Sequence, residues 1–262
     1  MRKYLLAAIA ALASTSVFAT ELKLSKTLDA TPSEEASKVD IMGITPGMDA
    51  KDAWKIFAKA YPSAKPETQK TSIRVKAHPL ESQEFEVAYD SGIQDDGTGL
   101  KVFLASPSTG GGVFAVQRDI DYSKGELLPR ISDVVEQLEK KYGKPIYTQK
   151  FYEDGSFSMF WYVGGESTCK NGVGICNNVF RATPYSAFDP AEFKIYIKEM
   201  DYGPEVVLGA KVTKAAEEGR AISMGVSFID LKRRGLSALG ALHQVWKAQD
   251  MALGVKPKVP SF

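Results

Sequence analysis

The chain has two cysteines, Cys169 and Cys176, and two histidines, and a nucleophilic or metal centre would have to draw on these together with Ser, Asp and Glu. Cys169 and Cys176 lie close together in a Gly-rich stretch from Gly164 to Gly174. A redox pair normally has two intervening residues, and a zinc site needs histidine or further cysteine nearby. His78 and His243 are distant in sequence, so a local structural disulfide is the expectation. Closing so short a loop stabilises by roughly 2–3 kcal/mol on the chain-entropy estimate.

Hydrolysis by an activated serine would show the elbow Gly-x-Ser-x-Gly. The nearest approach is Gly235-Leu236-Ser237-Ala238-Leu239, which ends in leucine, and His243 lies too far along the same helical stretch to serve as its base. Among acidic residues, Asp95-Asp96-Gly97 reads as a solvated turn. Asp119 and Asp121 would project to one side of a strand, where two carboxylates either bind a cation or face water, with water favoured. Gly110-Gly111-Gly112 reads as a turn, since no helix follows it to receive a phosphate. Lys232-Arg233-Arg234 reads as a solvated helix face. No catalytic residue, cofactor site or metal site is therefore assigned.

The hairpin from Phe151 to Val163 carries the sharpest signal. Alternation places Phe157, Met159, Trp161 and Val163 on one face and Phe160 and Tyr162 on the other. A sheet covered by helices on one side needs only one apolar face. The second set is covered by the chain itself or by a partner, and Phe160 and Tyr162, with Phe151 and Tyr152 beside them, are the candidate partner-binding residues.

The elements that would position these residues follow from periodicity. Asp49 caps a short helix carrying Ala53, Ile56, Phe57 and Ala60 and stopped at Tyr61-Pro62. Alternating runs at Ile73 and Val75, Phe85 to Tyr89, Leu100 to Leu104, and Phe114 and Val116 predict four antiparallel strands. A second helix has the stripe Leu128, Ile131, Val134, Val135, Leu138 and Tyr142, with Pro129 in its first turn and Gly143 at its end. Strands follow at Ile146–Phe151, Phe157–Val163, Val179–Thr183, Phe193–Ile197, Val206–Val212 and Ile222–Phe228. The chain closes on a helix bearing Leu231, Leu239, Leu242, Val245 and Trp246, with Lys232, Arg233, Arg234 and Lys247 mostly toward water.

Hairpin-length connections exclude a doubly wound parallel sheet, so the class is α+β: an antiparallel meander with helices packed on one face. The order helix-then-strands occurs twice. Residues 38–121 and 122–262 form two loosely repeated units or halves of one continuous sheet, after a polar lead over 20–37.

Arg2 and Lys3 precede an apolar stretch from Tyr4 to Leu12, and Val17-Phe18-Ala19 supplies a small-residue cleavage site. Residues 1–19 read as a signal peptide cleaved after Ala19, which predicts export to the periplasm. The apolar core is too short to span a membrane, and no cysteine stands near the cleavage site to accept a lipid, so no stable anchor is expected. A composition of 44% hydrophobic and 25% charged residues excludes a disordered chain. The 33 basic and 32 acidic side chains nearly cancel, which excludes a global field for nucleic acid.

The run Gly43-Ile44-Thr45-Pro46-Gly47-Met48-Asp49, followed by a short amphipathic helix, resembles the start of exported SmpA/OmlA-like and β-lactamase-inhibitor-like modules. Tyr142-Gly143-Lys144-Pro145 is a looser echo, and the match covers about 15 residues near the first helix. The resemblance implies helices packed on a small antiparallel sheet, in tandem for the inhibitor-like form, and a periplasmic protein that holds another protein. The SmpA/OmlA kind carries a lipid-acceptor cysteine near its start, and this chain lacks one. The expected function is a soluble periplasmic, non-enzymatic protein-binding module of inhibitor or immunity type, with another envelope protein as partner. The alternatives are an envelope enzyme with dispersed catalytic residues and a structural or stress-related domain.

Overall fold

The computed structural model describes residues 21–62, 67–73, 80–150, 155–164, 179–180, 200–201 and 203–254. Cys169, Cys176, His78, Phe151, Tyr152, the leader and the strand expected at 193–197 lie outside the described residues.

Helix α1 (Ala50–Ala60) starts where expected, because the Asp49 carboxylate accepts the Lys51 amide at 2.8 Å. Strands β1 (Glu67–Thr71), β2 (Phe85–Ile93), β3 (Thr98–Leu104) and β4 (Val113–Asp121) follow. Helix α2 (Ile131–Tyr142) ends at Gly143, whose positive φ of 80° glycine takes without steric cost. It begins two residues past Pro129, so Leu128 precedes the helix. Then come β5 (Tyr147–Lys150), β6 (Phe157–Val163), β7 (Val206–Lys214), β8 (Ala221–Asp230) and α3 (Leu231–Ala252).

The strands form one antiparallel sheet of order β1-β2-β3-β4-β8-β7-β6-β5. Among the described residues each series of one helix and four strands makes a meander, and β4 pairs with β8 to join the halves at the centre. The class is α+β, as expected. The first strand differs. It runs over Glu67–Thr71, an exposed polar edge without apolar alternation, while Ile73 is buried just beyond it.

Helices cover both faces, not one. On the first face the row Tyr89, Val102, Val116, Phe228, Leu208 and Trp161 packs with Ala53 and Phe57 of α1 and Val134 and Leu138 of α2. On the second, Ala88, Phe103, Ala115, Ile229, Val207 and Tyr162 form the row that packs with Ala238, Ala241, Leu242 and Val245 of α3. Strand alternation decides this: Phe228 and Ile229 are successive and both fully buried, so each face must have its own cover.

Two corrections concern α3. Arg233 and Arg234, expected in water, are each 6% exposed. Residues 21–48 wrap across the helix start and close off solvent: Arg233 donates through Nη2 to the Ala30 carbonyl, and its amide donates to the capping Asp230 carboxylate at 2.7 Å. Gly47 and Gly112 make the room, since a Cβ on either would lie 2.9 Å from the guanidinium. Burial pushes the Asp230 carboxyl up to about 7, against the Arg233 amide and charge, which lower it.

Candidate functional site

Ser237, the near-elbow serine, is fully buried. Its hydroxyl accepts the Ser106 amide at 2.6 Å and lies 2.8 Å from the Ser106 hydroxyl, while Ser106 and Ser108 both donate to its carbonyl at 2.9 Å. This hydroxyl cluster fastens α3 to the 3-10 turn Pro107–Thr109, and no substrate reaches it. His243 is exposed on the far part of the helix and does not meet Ser237. Asp96 accepts from the Thr98 amide and hydroxyl and Asp121 from those of Ser123, so both carboxylates are tied into their own turns, with pKa values lowered first by those hydroxyl bonds.

Among its described residues, the aromatic hairpin is covered at Phe160 from within the chain. Phe160 is completely buried, stacked on Tyr147 at 6.0 Å and tilted against Phe180 at 5.8 Å, which removes it as a contact residue for a partner. Gly209, directly opposite on β7, gives Phe180 and Val179 their seat: a Cβ there would come within 2.8 Å of both. Tyr162 is half-buried in the same cluster, and burial raises its phenol pKa.

The second face changes character along the strands. Below the apolar row under α3 lies Asp90, Lys101, Gln117 and Ser227, then Gly99, Asp119, Gly225 and Lys211, then Asp121, Ser223 and Thr213. Lys101 pairs with Asp90 at 2.6 Å. Asp119 has glycine on both cross-strand sides, Gly99 on β3 and Gly225 on β8. The carboxylate leans over Gly225, where a Cβ would stand 3.0 Å from its Oδ1, while the Ile93 side chain covers Gly99, 2.8 Å from where a Cβ would stand, so Asp119 sits in a recess. Gln117 donates to its Oδ2 at 2.9 Å. Burial holds the carboxyl above its ordinary range, opposed by the Gln117 bond and the Lys101 charge. The recess opens into a cleft of about 440 Å³ whose further walls include Ile93, Phe180, Thr213 and Ser223.

This arrangement can receive one cationic or hydrogen-bonding group on Asp119, steered by the flanking Gln117. Among the described residues no group of three or more His, Cys, Asp or Glu side chains is placed to hold a metal ion, and no helix is long and apolar enough to cross a membrane. The sequence placed Asp119 and Asp121 on one strand side but not the glycine-lined recess, because strand register was needed to find Gly99 and Gly225 beside Asp119.

The fold and its recess define an α+β protein with a duplicated helix-and-meander plan. The chain has no significant match among protein-family models, curated proteins or solved structures.

Proposed function

We propose that the chain is an exported, non-catalytic binding protein of the periplasm, which uses the polar part of its second sheet face to hold another envelope protein through a basic side chain. The Arg2-Lys3 leader and the Ala19 cleavage site support export. The observation that carries binding is the Asp119 carboxylate recessed between Gly99 and Gly225 on the floor of an open cleft. A half-buried charge in a concave site gains more from an opposite charge than an exposed one does, because water screens it less. The sheet beneath is continuous and packed on both sides, so the surface is preorganised and little ordering is needed on binding.

Photo-crosslinking in the producing cell tests this. A photoreactive residue at Gln117 or Ser223 should yield a discrete adduct with an envelope protein, and Asp119→Lys should abolish it while the folded variant accumulates normally. The same residue at the exposed Glu136 of α2 should yield none. Absence of adducts on the sheet face, or adducts indifferent to Asp119→Lys, refutes the reading. An unprocessed chain found in the cytosol refutes the location.

A further inference from the structure

Arg118 and Asp119 are successive residues of β4 and face opposite sides of the sheet. Arg118 stands in the row Leu100, Arg118, Val226, Ala210 and Met159, the one charge among apolar side chains on the face covered by α1 and α2. Its Nε is shut off from solvent and has no hydrogen-bond partner among the described residues. No carboxylate is ion-paired with it there. Asp96, which feels its charge, is already held by Thr98.

The guanidinium lines a cavity of about 170 Å³ between α2, β8 and the turn at Met42. Its walls are Val134, Gln137 and Leu138 from α2, Met224 and Val226 from β8, and Ile41 and Met42. Lys141 and Tyr142 stand at its edge, but Asp40 occupies both. Lys141 donates to the Asp40 carboxylate at 2.9 Å, and the Tyr142 hydroxyl donates to the Asp40 carbonyl at 3.0 Å. Arg118, half-buried overall, is thus a positive charge without an ion-pair partner among the described residues, in a cavity whose other polar groups are Gln137, Lys141 and Tyr142.

A second observation lies on the same wall. Met42 has a φ of 55° and Gly43 one of 83°, the two positive values that a two-residue turn between the bridged Ile41 and Ile44 requires. The turn is clamped by reciprocal bonds between Ile41 and Ile44 at 3.1 and 3.0 Å, and by the Gly43 amide on Asp40 at 3.0 Å. The turn holds Met42 in the cavity wall, and methionine adapts its shape to small apolar groups.

We propose that this cavity binds a small monocarboxylate with an apolar body, its carboxylate on the Arg118 guanidinium and its chain between Met42, Val134 and Met224. The planar fork of arginine matches a carboxylate, and a single charge without an ion-pair partner among the described residues calls for a monoanion. The volume sets the size, since a cavity of about 150 Å³ holds benzene. The site lies across the sheet from the Asp119 recess and does not depend on it.

Titration calorimetry of the full chain with hexanoate, hexanamide and inorganic phosphate tests the proposal. Hexanoate should bind saturably, hexanamide at least tenfold more weakly, and phosphate not at all. Arg118→Gln should weaken hexanoate on the order of 10- to 100-fold, the range of a lost charge-assisted bond, with Arg118→Lys between the two. Val134→Phe, which keeps the charge and fills the cavity, should abolish binding, and Asp119→Asn should leave it unchanged. Circular dichroism of each variant confirms folding. Failure of hexanoate to bind at millimolar concentration, equal binding of hexanamide or phosphate, or binding that survives Arg118→Gln or Val134→Phe overturns it.

Discussion

Replacing Ser237 by alanine separates a structural lock from a nucleophile. The substitution removes the acceptor of the buried Ser106 amide, a bond of 2.6 Å, and the hydroxyl bond to Ser106 at 2.8 Å. An orphaned buried donor costs about 1–3 kcal/mol and a lost neutral hydrogen bond about 1 kcal/mol, so the chain should lose about 2–3 kcal/mol. Ser108→Ala should cost only about 1 kcal/mol, because the Ser237 carbonyl still accepts from Ser106. In the Ser106→Ala, Ser237→Ala pair the shared hydroxyl bond is counted once, so the double variant should fall short of additivity by about 1 kcal/mol. Urea unfolding reads this directly: with a slope of about 3 kcal/mol per molar, Ser237→Ala should lower the midpoint by about 0.7–1 M at unchanged slope. A shift below about 0.3 M on that scale, or strict additivity, refutes the account of the cluster as a lock between α3 and the Pro107–Thr109 turn. Labelling of native Ser237 by a fluorophosphonate would refute its burial.

Two further outcomes test other parts of the structure. Gly47→Ala should destabilise by more than about 1 kcal/mol, since φ is 76° and the new Cβ would lie 2.9 Å from both the Arg233 Nη2 and Pro32; the urea midpoint reads this, and a neutral result refutes the described seat of Arg233. Asp119 has a folded-state pKa raised by burial, so the native state binds its proton more tightly than the unfolded chain does. That stabilisation is complete below the unfolded value of about 3.9 and is lost as pH rises through the higher folded value. Asp119→Asn should therefore equal or exceed the parent in stability at pH 7, with the advantage vanishing below about pH 4; urea midpoints across this range check it, and a variant less stable at pH 7 than at pH 4 relative to the parent overturns the assigned direction.

Much of the fold is legible locally because its signals are local. The Asp49 cap, the Val134–Leu138 stripe, the Gly143 stop and the alternation in β2–β4 and β6–β8 depend on neighbours a few residues away, and each element forms there. Strand β1 carries no such signal, since Glu67–Thr71 is a solvated edge held only by its ladder to β2. The solvated face expected for Arg233 and Arg234 rested on α3 alone, before residues 21–48 closed over it. Arg118 did leave a trace, a cation in phase with Val116 and Ile120 on an alternating strand.

The amino-acid order alone determined the α+β class, the antiparallel pairing of the hairpins and the repeated helix-then-strands plan, all of which follow from periodicities of two and 3.6 and from turn residues. Register and layering were settled only when β4 met β8. That pairing put Gly225 beside Asp119 and Val226 beside Arg118, and gave each face its own helical cover. Asp119 meets Gly225 and Arg118 meets Val226 across more than a hundred positions, and Phe160 is covered by Tyr147, Phe180 and Gly209 from other elements, so no local pattern announces the recess, the cavity or that burial.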